Sequence, residues 1–277
     1  MIMDISEKPH ILVIGTASID RLHLTDKQVY DTVGGAGVYT ALAASRVDAK
    51  VTLFAPRPTP IPERFEKFDA SVRWIGPEVS INKIPRLEIA HYGGGQAELL
   101  EANWGAESQL GHNGLPDDLS SYAIIHIAAL SSAQRQLDFL RACRRRNANK
   151  ISVGTYAQLI RNEDATVLTL FKEADLFFMN ENEATMLFGS TESLCTERGR
   201  ILFVTRGERG AVVVEANNIS HVLGSSVVEL DPTGAGDSFC GTILAELAQN
   251  KSAIEAAKEG NQIAAKNIQH IGPAGLF

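Results

Sequence analysis

The chain has 277 residues, 44% hydrophobic and 21% charged, with a formal net charge of −7. That length can bury a substantial core in one large α/β domain or two small ones, and the acidic balance argues against nonspecific binding to nucleic acid or to an anionic membrane surface. Three cysteines without CxxC spacing suggest neither a disulfide framework nor a zinc site and fit a reducing cytoplasm.

Short apolar runs at residues 11–15, 51–55, 124–128, 151–154, 176–179 and 202–205 alternate with helical patterns. Unbroken apolar runs of this length indicate strands buried on both faces. A mostly parallel sheet with helices on both sides follows, an α/β architecture of three layers. Helices are expected at about 37–46, 132–147, 164–173, 181–188, 234–250 and 252–270.

In chain order, GTASID at 15–20 leaves the C-terminal end of the first strand, where open α/β sheets place ligands. Its Asp20 can accept hydrogen bonds from a polyol or serve as a turn residue. VGGAGV at 33–38 precedes a helix of small residues. Gly34 and Gly35 there let backbone amides approach a ligand, or simply supply positive φ. Neither GxGxxG nor GxxxxGK[ST] occurs, which removes the best sequence support for NAD binding and for P-loop chemistry.

Residues 86–103 show two strand-like arms around Gly93, Gly94 and Gly95. With residues 72–75 they are expected to form a small sheet standing off the main one, either an ordinary edge hairpin or a lid over substrate, contributed by about 72–104 of a single 1–277 domain. The basic run at 141–150 ends a helix and reads as a solvated face that complements the helix dipole. In NENE at 180–183, Asn180 can cap the next helix, while Glu183, one turn on, can hold magnesium through water. The glycines of TRGERG at 205–210 suit either a plain hairpin turn or a resting place for a nucleotide phosphate.

The most informative stretch is ELDPTGAGDSFCGTILAELAQN at 229–250, which reads as a strand end, a tight turn and an amphipathic helix. Such a junction directs unpaired N–H groups and the positive end of the helix dipole at one spot, which suits an anion. Asp237 beside that spot would repel the anion. It makes better sense as a base taking a proton from a hydroxyl about to attack a phosphate.

DPTGAGD followed by SFCGTILAEL closely resembles the C-terminal signature of the ribokinase-like (PfkB) carbohydrate kinases. The order of the other motifs agrees over nearly the whole chain: GxxxxD at 15, GG at 34, NxxE at 180 and TxGxxG at 205. The resemblance implies a ribokinase-like three-layer α/β/α fold with a small β lid. It implies an ATP-dependent kinase that moves the γ-phosphoryl group to a hydroxyl of a small sugar, nucleoside or cyclitol. Asp237 is then the catalytic base, Gly234, Ala235 and Gly236 are the anion hole, and Asn180 and Glu183 are the Mg2+ and phosphate pair. Thr205, Gly207 and Gly210 form the nucleotide-side turn, with Asn261 beside the adenine. Asp20, Gly34 and Gly35 match the acceptor side. Asp231, with the loop around Gly272, resembles a monovalent-cation (K+) site that some members use.

The chain departs from the family pattern at Tyr39, where members acting on simple sugars commonly carry Asn, and it is shorter than typical members between 56 and 104. Tyr39 on the acceptor side points to a ring-bearing or less usual acceptor. The expected partners are ATP and a small alcohol, with neither nucleic acid nor membrane, and the exposed lid strands could pair with a second copy as a homodimer. The rival reading is a non-catalytic ligand sensor that retained the fold; an intact base, glycine turn and NxxE argue against it.

Overall fold

The computed structural model describes residues 8–94, 96–191 and 194–277. In chain order its elements begin with β1 (His10–Ile14), β2 (Ser18–His23), β3 (Val29–Gly34), α1 (Ala36–Arg46), β4 (Lys50–Phe54), β5 (Arg57–Pro58), α2 (Glu63–Ser71), β6 (Arg73–Ile75), β7 (Glu78–Val79), β8 (Arg86–Gly93) and β9 (Gln96–Asn103). They continue with β10 (Ile124–Ile127), α3 (Ala133–Arg145), β11 (Ile151–Gly154), α4 (Ala157–Glu173), β12 (Leu176–Asn180), α5 (Glu181–Phe188), β13 (Ile201–Thr205), β14 (Ala211–Glu215), β15 (Asn218–Val222), α6 (Ala235–Ala248) and α7 (Ala253–Asn267).

A nine-stranded sheet runs in the order β15-β14-β13-β12-β11-β10-β1-β4-β6. Its strands pair in parallel from β13 to β6, and β14 and β15 close one edge antiparallel. The apolar runs explain the layering, because successive side chains of a strand face opposite sides. Ile11 and Val13 pack into one core with α1, α2, α6 and α7, whereas Leu12 and Ile14 pack into a second with α3, α4 and α5. From β1 the chain moves outward to β4 and β6, then returns to β10 and proceeds the other way. The C-terminal ends of β1 and β10 therefore flank a topological switch point, where such sheets bind ligands.

Four further strands form the lid sheet, in the order β3-β2-β8-β9. The β8–β9 hairpin is as expected, but Gly95 at its tip lies outside the described residues. The expected lid boundaries need correction. Residues 73–75 pair with β4 and extend the main sheet, and the lid's other half is Ser18–Gly34, immediately after β1. That connection matters, because it carries Asp20 out of the main sheet and into the lid's own β2.

Candidate active site

Asp20 is buried in β2, where Ser18 Oγ donates to its Oδ1 at 2.5 Å and the Gly35 N–H also donates to the carboxylate. Any side chain on Gly34 would overlap that carboxylate, so the glycine is there to let β3 pass close to it. Burial pushes the Asp20 carboxyl up to about 7, Asp231 adds to the rise, and the Ser18 and Gly35 hydrogen bonds oppose it.

Gly234 is the N-cap of α6 with φ 71°, a left-handed conformation that disfavours other residues. The turn before it is pinned by Asp231, whose Oδ1 accepts from Thr233 N at 2.9 Å and whose Oδ2 accepts from Gly272 N at 2.7 Å. Ala235 N–H already donates to the Pro232 carbonyl at 3.2 Å. Among the described residues the amides of Gly236 and Asp237 have no carbonyl partner in that turn. The Gly234 amide likewise has no carbonyl partner there, so of the three expected anion-hole residues Ala235 is the one whose amide is engaged within the turn. A Cβ on Gly236 would meet open space, so this face of the helix start is free for a ligand.

Asp237 follows in the first turn of α6, deep in the fold yet with some solvent access. Burial pushes its carboxyl up to about 7, with Asp20 adding to the rise.

Asn180 and Glu183 form a reciprocal capping box at the start of α5. Glu183 N donates to Asn180 Oδ1 at 2.9 Å, and Asn180 N donates to Glu183 Oε2 at 2.8 Å. Asn180 Nδ2 donates to Glu183 Oε1 at 2.7 Å. The cap therefore fixes the carboxylate's orientation. Burial pushes Glu183 up to about 7; Asp237 adds to the rise, and N–H donors from Asn180 and Ala157 oppose it. Among the described residues no Lys or Arg pairs with Asp20, Glu183, Asp231 or Asp237. Without a Lys or Arg partner, Asp20, Glu183 and Asp237 lack cationic compensation, which accords with their raised carboxyls. No three-residue His, Cys, Asp or Glu cluster capable of holding a metal exists among the described residues.

On the nucleotide side, β13 and β14 are joined by the expected turn. Thr205 ends β13, Gly207 and Gly210 take φ of 59° and 87°, and Arg206 N donates to Gly210 O at 2.7 Å. Both Arg206 and Arg209 pair with Glu181, which ties this turn to the start of α5. Asn261 of α7 donates through Nδ2 to Leu223 O at 3.0 Å, in the loop that follows β15. Leu223 and Val228 of that loop are 86% and 84% exposed.

Two residues escaped the sequence reading. His91 of β8 is buried, with Nε2 2.9 Å from Thr233 Oγ1 and 3.4 Å from Asp231 Oδ1, so the lid rests on the segment leading into the anion hole. Its signal is a histidine sharing strand parity with Leu87 and Ile89. Asn267, buried at the end of α7, donates through Nδ2 to Thr233 O at 3.2 Å, while its Oδ1 is left without a partner.

The pfkB carbohydrate kinase family model matches residues 78–276, most of the chain and all of the phosphate-side elements just described. The chain belongs to the PfkB family of carbohydrate kinases. Members of this family are phosphotransferases with an alcohol acceptor, and the mostly parallel sheet with helices on both faces is the ribokinase-like fold. This PfkB chain is 24% identical over 271 residues to a cytidine kinase of Thermococcus kodakarensis, covering 95% of this chain and 97% of that one. It superposes on a probable sugar kinase from Rhizobium etli with a TM-score of 0.81 at 18% identity, covering 97% and 95% of the two chains. A fructokinase double mutant from Vibrio cholerae, bound to fructose, ADP and potassium, gives a TM-score of 0.78 at 19% identity over 99% and 96%.

Proposed function

We propose that this PfkB chain is an ATP-dependent kinase in which Asp237 takes the proton of an acceptor alcohol as its oxygen attacks the γ-phosphorus. The bond from the acceptor oxygen to phosphorus forms, the bond to the bridging oxygen breaks, and ADP leaves. The carrying observation is the position of Asp237 in the first turn of α6, one residue after Gly236, where an added Cβ would meet open space, with a carboxyl raised to about 7. A base near neutrality suits proton transfer at physiological pH. Amides preorganised at a helix start supply electrostatic stabilisation, worth about 3 kcal/mol per donor in comparable sites.

The nucleotide would rest along Thr205 to Gly210, with its base against Leu223 and Asn261. Asn180 and Glu183, whose carboxylate the capping box orients, would hold a magnesium ion through water, which would neutralise developing charge on the phosphates. Asp231, buried with no Lys or Arg partner, fits a monovalent cation such as K+. Asp20 would accept hydrogen bonds from the acceptor, beneath a lid that His91 closes onto Thr233. Exposed Tyr92 and Leu100 on that lid support pairing with a second copy, and free Cys143, Cys195 and Cys240 suit a cytoplasmic setting.

The acceptor is a hydroxyl of a sugar, nucleoside or cyclitol. The likeness to a cytidine kinase over nearly both chains, together with Tyr39, favours a nucleoside. An ADP-release assay with ribose, fructose, adenosine, cytidine, inosine and myo-inositol tests this. Turnover with any of them supports the kinase, and none above the ATPase background removes it.

A further inference from the structure

The lid is fastened to the phosphate side of the site at two points, and the strand that carries Asp20 runs between them. His91 of β8 has a side chain 2% exposed, with Nε2 2.9 Å from Thr233 Oγ1 and 3.4 Å from Asp231 Oδ1. An ionised carboxylate can only accept, so the ring nitrogen facing this pair is the one that carries hydrogen. The other nitrogen, Nδ1, is buried without a partner. On β3, Thr32 packs so closely on Gly272 that any side chain there would overlap its Oγ1, and Gly272 N donates to Asp231 Oδ2 at 2.7 Å. In the lid sheet β2 lies between β3 and β8, and Asp20 stands opposite Thr32 in register.

Leu87 and Ile89 share the strand parity of His91, and a third apolar residue would fill its space without leaving a buried nitrogen unpaired, which is costly. Packing therefore explains the bulk of this side chain, and the Nε2 contact explains its chemistry. We infer that His91 is a positioning residue for phosphoryl transfer: its N–H pins β8 to Thr233, and together with Thr32 against Gly272 it fixes β2, and so Asp20, relative to the turn that opens α6. This rests on the kinase reading and assigns the residue that keeps the two halves of that site in register. An alcohol held by Asp20 is then presented to Asp237 only while the lid is docked, so the pin acts on alignment of the reacting groups and not on nucleotide binding.

The test compares wild type with His91→Leu, His91→Gln and Thr233→Val in the ADP-release assay with the best acceptor, alongside thermal unfolding of the ligand-free proteins. His91→Leu should unfold at the same or higher temperature while its kcat falls roughly ten-fold or more, within the range that a misplacement of about 1 Å produces. KM for ATP should be unchanged. His91→Gln, which returns an N–H to the end of the side chain, should recover most of that kcat. Thr233→Val should lose as much as His91→Leu, and the double variant should lose no more than either, because both remove one contact. Wild-type kcat in His91→Leu, a Gln variant no better than Leu, or additive losses in the double variant would each overturn the inference and leave the kinase reading intact. Should His91→Leu fail to fold, wild-type kcat in Thr233→Val overturns it alone. A wild type that turns over no acceptor overturns the kinase reading and this inference with it.

Discussion

Tyr39 and Gly234 meet so closely that no side chain could be added to the glycine without displacing the ring. The contact joins α1 to the turn that opens α6, and it makes the shape of that turn depend on the packing of two helices. Replacing Gly234 by Ala would add both a clash and a side chain at φ 71°. Strain of about 1 kcal/mol from the left-handed backbone and about 1–3 kcal/mol from overpacking should lower the thermal midpoint by several degrees. An unchanged midpoint would show that the ring yields freely.

Gly236 predicts the opposite pattern, since a side chain there would enter open space. Gly236→Val should fold with near wild-type stability but place its branches where the transferring phosphoryl group would lie. Phosphoryl transfer should then suffer more than acceptor binding, read as a fall in kcat that exceeds any rise in acceptor KM. Equal loss of both would argue against an anion hole.

The raised carboxyls set a pH dependence of stability. Asp20, Glu183 and Asp237 sit at about 7 in the folded chain, against ordinary values of 3.8, 4.5 and 3.8. The folded state therefore binds their protons more tightly than the unfolded state. Their contribution to stability is fully present below the ordinary values and is lost as pH rises through about 7. The ligand-free protein should accordingly show a lower thermal midpoint at pH 8 than at pH 6, and Asp237→Asn should raise the midpoint at pH 8. A midpoint that climbs from pH 6 to pH 8 would contradict this.

The same uncompensated carboxylates predict ion dependence. Chelation of divalent ions should abolish turnover, and Mg2+ should restore it. Exchanging Na+ for K+ at fixed ionic strength should raise kcat/KM through Asp231, and Asp231→Ala should remove the difference. Equal rates in the two salts would remove the cation from that site.

Much of this was legible before any coordinates. Buried parallel strands betray themselves by unbroken apolar runs, and local turns such as Thr205 to Gly210 and the start of α6 are written in contiguous residues. What sequence reading missed depends on distant pairings. Val29–Gly34 lacks an apolar run because it is partly exposed, and Ser18–His23, though mostly buried, places polar Ser18 and Asp20 at buried positions, so neither strand announces itself, whereas residues 73–75 pair with β4 rather than with the lid. His91 touches Thr233 across 142 positions, and nothing local marks that contact. Motif position alone does not show that the Ala235 N–H also donates to the Pro232 carbonyl.

The account turns on Asp237, and the most direct measurement is kcat/KM against pH for wild type and Asp237→Asn with the best acceptor. Wild-type kcat/KM should rise with pH and level off above a midpoint of about 7, where the free base becomes available. The Asn variant, folded and binding ATP normally, should lose roughly 10² or more in kcat, the scale of a lost general base. An Asn variant that keeps near-normal turnover and the same pH profile would contradict the assignment of Asp237 as the base.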